Sequence, residues 1–249
     1  MKRRAFLLGA FGLGVSPGVL DYEIRYPVYK LSNRGIKAVQ LTDLHLTKST
    51  HGFEKAASAV LKEKPDIVFL TGDYINDFAH LSLFEEFVQA LEEQQIACAS
   101  CLGNHDYLRD GRVQYYVKRA LGESLLKNSS KTFKIKGLSI AVYGIDDVLY
   151  GLPATVEKVS ADLSIGLVHN PDGLGFLDGL DCDLILCGHT HGGQIGLPIL
   201  DRIFAPVKDK RFVYGFQRWK SSLVYVSRGI GSVFNVRLAC PPEAPAFLL

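Results

Sequence analysis

Five short groups of residues in this chain carry side chains that bind divalent cations. They are Asp43-Leu44-His45, Gly72-Asp73, Asn104-His105-Asp106, His169, and His189-Thr190-His191. Residues two apart on an extended segment point to the same side, so Asp43 and His45 can close on one ion, and His189 and His191 repeat that arrangement. Asp73 follows a glycine, and a carboxylate at a tight turn has two oxygens with which to bridge two cations. Asn104 offers a neutral amide oxygen. A donor set mixing imidazole nitrogen with carboxylate and amide oxygen suits Mn, Fe or Zn better than an all-oxygen Ca or Mg site. Each group alone is weak, since a strand-end aspartate often only caps a helix and a lone histidine is more often structural. His51 and His80 fall outside every group and read as structural or solvent-exposed.

What makes the five significant is where they stand. Apolar, β-branched runs at Ile36–Leu41, Asp66–Leu70, Ile96–Leu102, Leu163–Val168 and Asp183–Cys187 read as buried strands, and each ends at one of the groups. Between the first three, Phe53, Ala56, Ala57, Val60 and Leu61 recur at helical spacing, as do Leu83, Phe84, Phe87, Val88 and Leu91, with a third helix expected over Arg112–Leu121. Strand–helix–strand alternation implies right-handed units and a mainly parallel sheet. In open α/β sheets ligands bind beyond the carboxyl ends of the strands, so groups spread from position 43 to position 191 should converge. Alternating Val, Ile and Tyr over 131–150 and 213–238 predict antiparallel strands. No repeat or linker interrupts the chain, and a single domain over 21–249 is the economical expectation.

Asp43-x-His45, Gly72-Asp73, Gly103-Asn104-His105-Asp106, His169 and Gly188-His189-x-His191 resemble the five signature blocks of the calcineurin-like metallophosphoesterases. Similarity continues in His169-Asn170-Pro171-Asp172, Phe204-Ala205-Pro206-Val207 and Ser227-Arg228-Gly229-Ile230-Gly231, which look like the bacterial branch of small twin-arginine-exported phosphodiesterases. That branch is also similar to the UDP-2,3-diacylglucosamine pyrophosphatases of lipid A synthesis. The resemblance implies an α/β fold of four αββα layers, with two mixed sheets and flanking helices. It places Asp43, His45 and His191 on one metal, Asn104, His169 and His189 on a second, and Asp73 between them. It makes His105 the acid that protonates the leaving group, or a positive contact to the phosphate, with Asp106 holding its ring. Two such cations would clamp an in-line displacement at phosphorus. Purple acid phosphatases of the superfamily have a tyrosine three residues after the bridging aspartate; Asn76 stands there here, which argues against a tyrosinate-bound ferric ion.

Bulk composition narrows the partners. A hydrophobic fraction of 47% and a charged fraction of 22% exclude disorder. The net charge is +2, but Lys2, Arg3 and Arg4 leave 25 basic against 26 acidic residues in the remainder, so no nucleic-acid partner is expected. Lys2-Arg3-Arg4 precedes the apolar run Ala5–Val15, and Arg3-Arg4-Ala5-Phe6-Leu7 resembles a twin-arginine export signal. Residues 1–20 are therefore expected to be a signal or an N-terminal anchor read by the twin-arginine machinery, placing the protein on the periplasmic face or at a membrane. Five cysteines in no regular framework argue against disulfide stapling, and Cys98-Ala99-Ser100-Cys101 reads as strand packing.

The expected substrate is a phosphodiester or a pyrophosphate, including a lipid-linked one. Leu197, Ile199, Leu200, Ile203, Phe204, Phe212 and Phe216 interleave with Arg202, Lys208, Lys210 and Arg211, a pattern that suits a phosphate at a membrane face. The same pattern also fits a core-packing loop with solvated charges. A non-catalytic metal-stabilised interaction module is the alternative reading, against which His105 and Asp106 weigh. A dinuclear oxidoreductase is a third.

Overall fold

The computed structural model describes residues 23–47, 50–108, 111–194, 202–203, 205–232 and 237–249. The expected export segment lies outside them.

Two mixed sheets stack face to face. In the first, β2 (Lys37–Leu41), β3 (Ile67–Thr71) and β4 (Ala97–Cys101) run parallel; β11 (Ala246–Leu248) pairs antiparallel with β2, and β1 (Val28–Lys30) pairs parallel with β11 at the edge. The second has the order β5 (Ser129–Ile135), β6 (Leu138–Gly144), β7 (Leu163–Leu167), β8 (Leu184–Cys187), β10 (Ser222–Val226), β9 (Gly215–Trp219). The antiparallel pairs expected at 131–150 and 213–238 are present as β5–β6 and β9–β10, but each hairpin also hands its inner strand to a parallel core, β6 to β7 and β10 to β8. That is why the inner strands are buried on both faces.

Alternation decides which side chain goes where. Val39, Leu41, Val68 and Leu70 face outward and pack on α1 (His51–Glu63), α2 (Leu81–Glu93) and α3 (Arg112–Leu121), through Phe53, Val60, Phe84, Phe87 and Val117. Ala38, Ile67, Phe69 and Cys101 face inward against Ile140, Val142, Ile165, Leu167 and Leu186 of the second sheet. Each large apolar side chain so buried contributes roughly 1.5–3 kcal/mol. The second sheet's outer face is covered by a 3-10 helix over Pro171–Leu177, with Phe212, Val156 and Val159 beside it.

The same alternation separates the CxxC pair. Cys98 packs with the helices and Cys101 between the sheets, so three residues on a strand put the two thiols on opposite faces. They neither bridge nor chelate, and burial pushes the Cys98 thiol up to about 12.

Candidate metal centre

The strand-end loops of both sheets meet at one edge. Beyond β2 and β3 the chains keep pairing, with the amides of Asp43 and His45 donating to the carbonyls of Gly72 and Asp73, each at 3.0 Å. The amide of Gly188 donates to the His169 carbonyl at 2.9 Å, which locks the ends of β7 and β8 together. Asp43, His45, Asp73, His189 and His191 all adopt positive φ, between 43° and 71°. Non-glycine residues avoid that region, and its concentration here marks a backbone bent so that consecutive polar side chains turn into one space. Gly72 is required for the same reason: at φ +92°, a Cβ would lie 2.5 Å from the Gly103 nitrogen and 2.7 Å from His169 Nδ1.

The side chains form two linked groups. In one, Asp43 Oδ1 lies 3.4 Å from His191 Nε2, and His45 Nε2 is 3.1 Å from the same nitrogen. In the other, His189 Nδ1 lies 2.8 Å from Asn104 Oδ1. Asp73 joins them, its Oδ2 standing 3.5 Å from His45 Nε2 and 3.3 Å from His169 Nε2. Asp43, His45 and His191 form one set of converging donor atoms, Asp73, His169 and His189 another, and His45, Asp73 and His105 a third between them.

Tautomers show that this set fits cations. The Nδ1–H of His169 donates to the Thr71 carbonyl at 2.6 Å, and the Nε2–H of His189 donates to the Pro206 carbonyl at 3.1 Å. Asn76 Oδ1 takes the Nδ1–H of His45 at 3.3 Å. The remaining nitrogens of His45 and His189 therefore present lone pairs inward, that of His189 toward the Asn104 amide oxygen, itself an acceptor, while His169 Nε2 is buried facing Asp73 Oδ2. A hydrogen bond from the far ring nitrogen to a carbonyl or amide oxygen is how metal-binding imidazoles are oriented. A cation bonded at about 2.1 Å to each nitrogen satisfies donors that cannot satisfy one another.

Electrostatics agree. Burial lowers the pKa of His45 and of His189 to about 4 and that of His191 well below its ordinary value, leaving all three neutral and able to ligate. Burial acts the same way on His169, but the Asp73 carboxylate, with Asp43 and Asp147, overrides it and pushes the ring up to about 10. Asp43 is raised by burial to about 6. Burial would also raise Asp73, but His169 and His45 hold it far below the usual carboxylate range.

His105 stands at the rim, half-buried, its ring edge-on to His45 at 4.7 Å between centroids and its backbone amide donating to Asp73 Oδ1 at 2.8 Å. Asp106 does not hold the His105 ring. Its buried carboxylate accepts the amides of Gly103 (2.8 Å), Asp73 (3.0 Å) and Tyr74 (3.0 Å), because the turn at Asn104–Tyr107 aims it back under the loops. Asp106 is thus a clamp on the segment bearing Asp73. The Tyr74 hydroxyl points into the core, toward the carbonyls of Leu70 and Cys101, and is not a ligand. His51 is exposed, His80 half-buried, and neither joins the centre.

The interleaved segment after the centre divides. Phe212 is buried and Phe216 packs on Tyr29, Tyr225 and Phe247, so these two belong to the core. Lys210 Nζ donates to the Ala205 carbonyl, and Arg211 pairs with Asp209. Leu197, Ile199, Leu200 and Phe204 lie outside the described residues.

Sequence reasoning overlooked Asp146, Asp147 and Arg237. The acidic pair stands at the end of β6 and obeys the same strand-end rule as the groups that were found. Asp146 accepts the Tyr107 hydroxyl and pairs with Lys127 at 3.0 Å, tying the loop after β6 to the loop that carries His105.

This chain belongs to the calcineurin-like phosphoesterase family, whose sequence profile matches residues 36–193. It is 31% identical to phosphodiesterase YaeI of Escherichia coli, over 88% of this chain and 84% of that protein. It is 27% identical to the UDP-2,3-diacylglucosamine pyrophosphatase LpxG of Chlamydia muridarum, over 84% of this chain and 82% of that one. An uncharacterized metallophosphoesterase of Bacillus subtilis, YkuE, is 29% identical over 100% and 98%.

Proposed function

We propose that this protein hydrolyses phosphodiester or pyrophosphate bonds, using two divalent cations (Mn, Fe or Zn) held by Asp43, His45, Asp73, Asn104, His169, His189 and His191. The observation that carries this reading is Asp73 Oδ2, which faces a histidine of each group at once. Two ions there supply positive charge for the phosphoryl oxygens and lower the pKa of an attacking water. The chain's own residues do the rest. His45, His189 and His191 stay neutral, His45, His169 and His189 are fixed in tautomer by Asn76, Thr71 and Pro206, and the Asp106 clamp holds Asp73 in register. His105, at the rim, gives a proton to the departing oxygen, or as a cation contacts the phosphate.

Diesters and pyrophosphates are favoured over monoesters by analogy with the two relatives named for such activities. A lipid-linked substrate is supported by an apolar rim: Leu108, Leu149, Tyr150 and Leu152 are all exposed. Asp146 ties Leu152 to the loop that carries His105, since it accepts the amide of Leu152 and the hydroxyl of Tyr107, and Asp147 accepts the amides of Leu149 and Tyr150. With its twin-arginine-like start, the protein would work at the periplasmic face of a membrane. A reporter fused to residues 1–30 that stays cytoplasmic regardless of Arg3 and Arg4 would remove that part of the proposal.

The experiment is a substrate panel on metal-stripped protein restored with Mn: a chromogenic diester, its monoester, and a nucleotide-linked lipid pyrophosphate. Cleavage of the diester or the pyrophosphate is expected, falling by on the order of 10²–10³ in Asp73→Ala. Stoichiometric metal binding with no cleavage of any ester would instead favour a binding module.

A further inference from the structure

The two halves of the centre differ in charge. Both share Asp73, but the half with His45 and His191 adds a carboxylate, Asp43, where the half with His169 and His189 adds only the neutral amide of Asn104. Two buried charges beside the centre oppose that difference.

Arg237 is 7% exposed and has no carboxylate within ion-pair distance among the described residues. Its guanidinium donates to the carbonyls of Arg228 (2.8 Å) and Gly231 (2.5 Å), and Nη2 lies 3.5 Å from His191 Nδ1. The loop it fastens lies against Asp43, with the Gly231 amide donating to the Asp43 carbonyl at 2.7 Å. The acid nearby in sequence, Glu243, is taken by Arg228 at 2.9 Å.

Asp147 stands by the other half. It is 1% exposed, and its Oδ1 accepts the amides of Leu149 (2.9 Å) and Tyr150 (2.8 Å), while its Oδ2 is buried with no hydrogen-bond partner. No cationic side chain pairs with it among the described residues. It follows β6, which lies parallel to β7, and His169 follows β7. Gly144 of β6 stands opposite Leu167 of β7, so the residues that follow the two strands, Asp147 and His169 among them, leave the sheet side by side. Asp147 is outside all three sets of converging donors, so it works through the field and not by contact. A buried charge without a partner is costly and persists where an opposite charge compensates it. Arg237 faces the half with a carboxylate to spare, and Asp147 the half that is one short.

We propose that Arg237 and Asp147 level the two cation positions. Arg237 weakens the Asp43 position and Asp147 strengthens the His169 position, so both fill over one range of cation concentration. This rests on the dinuclear reading above.

The test is titration calorimetry of Mn into the metal-stripped full chain. His191→Ala leaves the His169 position, and His189→Ala leaves the Asp43 position. In the first background Asp147→Asn is expected to weaken Mn binding about tenfold, and in the second to change it by less than about twofold. Arg237→Met should tighten the Asp43 position by about tenfold, while Arg237→Lys, which keeps the charge, should not. Thermal melts verify folding, and if Arg237→Met fails to fold, the Asp147→Asn pair decides alone. Equal shifts at both positions, or none at either, overturn the levelling. If the unsubstituted chain binds fewer than two Mn ions, the dinuclear reading itself falls.

Discussion

The Nε2 atoms of His45 and His191 stand 3.1 Å apart, with Asp43 Oδ1 3.4 Å from the second. The Nδ1–H of His45 is turned to Asn76, and burial keeps both rings neutral. With Asp43 Oδ1 beside them, the two nitrogens are placed to share one cation. His189 Nδ1 faces another acceptor, Asn104 Oδ1, at 2.8 Å, so the properties of the metal-free centre should change sharply on loading.

Stability follows first. At free Mn of about 100 times the dissociation constant, binding adds about 2.7 kcal/mol. For a chain of this size that raises Tm by about 5–10 °C. Scanning calorimetry of stripped and restored protein checks it, and an unchanged Tm would speak against a built site.

Proton release follows second. His169, raised to about 10, is charged in the metal-free protein at neutral pH, and a cation must displace that proton. Uptake at pH 8 should release on the order of one proton, with apparent affinity rising as pH rises toward about 10. Calorimetry in two buffers of different ionisation enthalpy measures it, and zero release would contradict the His169 assignment.

The pH dependence of stability in the metal-free protein has two limbs. The His169 contribution is complete below its ordinary value near 6.5 and is lost as pH rises through about 10. His45 and His189, lowered to about 4, contribute above 6.5, and that contribution is lost as pH falls toward 4. Urea titrations across pH should show a fall on both sides; a flat acid limb would count against buried neutral imidazoles.

His105 and Asp106, adjacent in sequence, should separate by assay. Asp106→Ala strands three buried amides and should cost about 3–5 kcal/mol even without metal. His105→Ala should change stability by no more than about 0.5 kcal/mol while lowering kcat about 10²–10⁴-fold. Denaturant melts and rates together decide it; a stability loss in His105→Ala as large as in Asp106→Ala would erase the distinction.

The centre was legible because its donors obey one local rule, cation-binding side chains just past apolar runs, and strand topology gathers them. The role that the resemblance implies for Asp106, holding the His105 ring, is not met because the turn at Asn104–Tyr107 sends the two side chains in different directions. Arg237 gave no signal, since nothing local places it beside His191, 46 residues earlier. Asp146 and Asp147 were overlooked because alternation over 131–150 reads as a hairpin, which hides that β6 also joins a parallel core and so delivers its end to the same edge.

Asp73, facing a histidine of each group, is expected to bridge two cations. Crystals grown with Mn and measured at its absorption edge test it most directly. Two anomalous peaks about 3.5–4 Å apart, both within bonding distance of the Asp73 carboxylate, are predicted. A single peak, or two that do not share Asp73, would contradict the account.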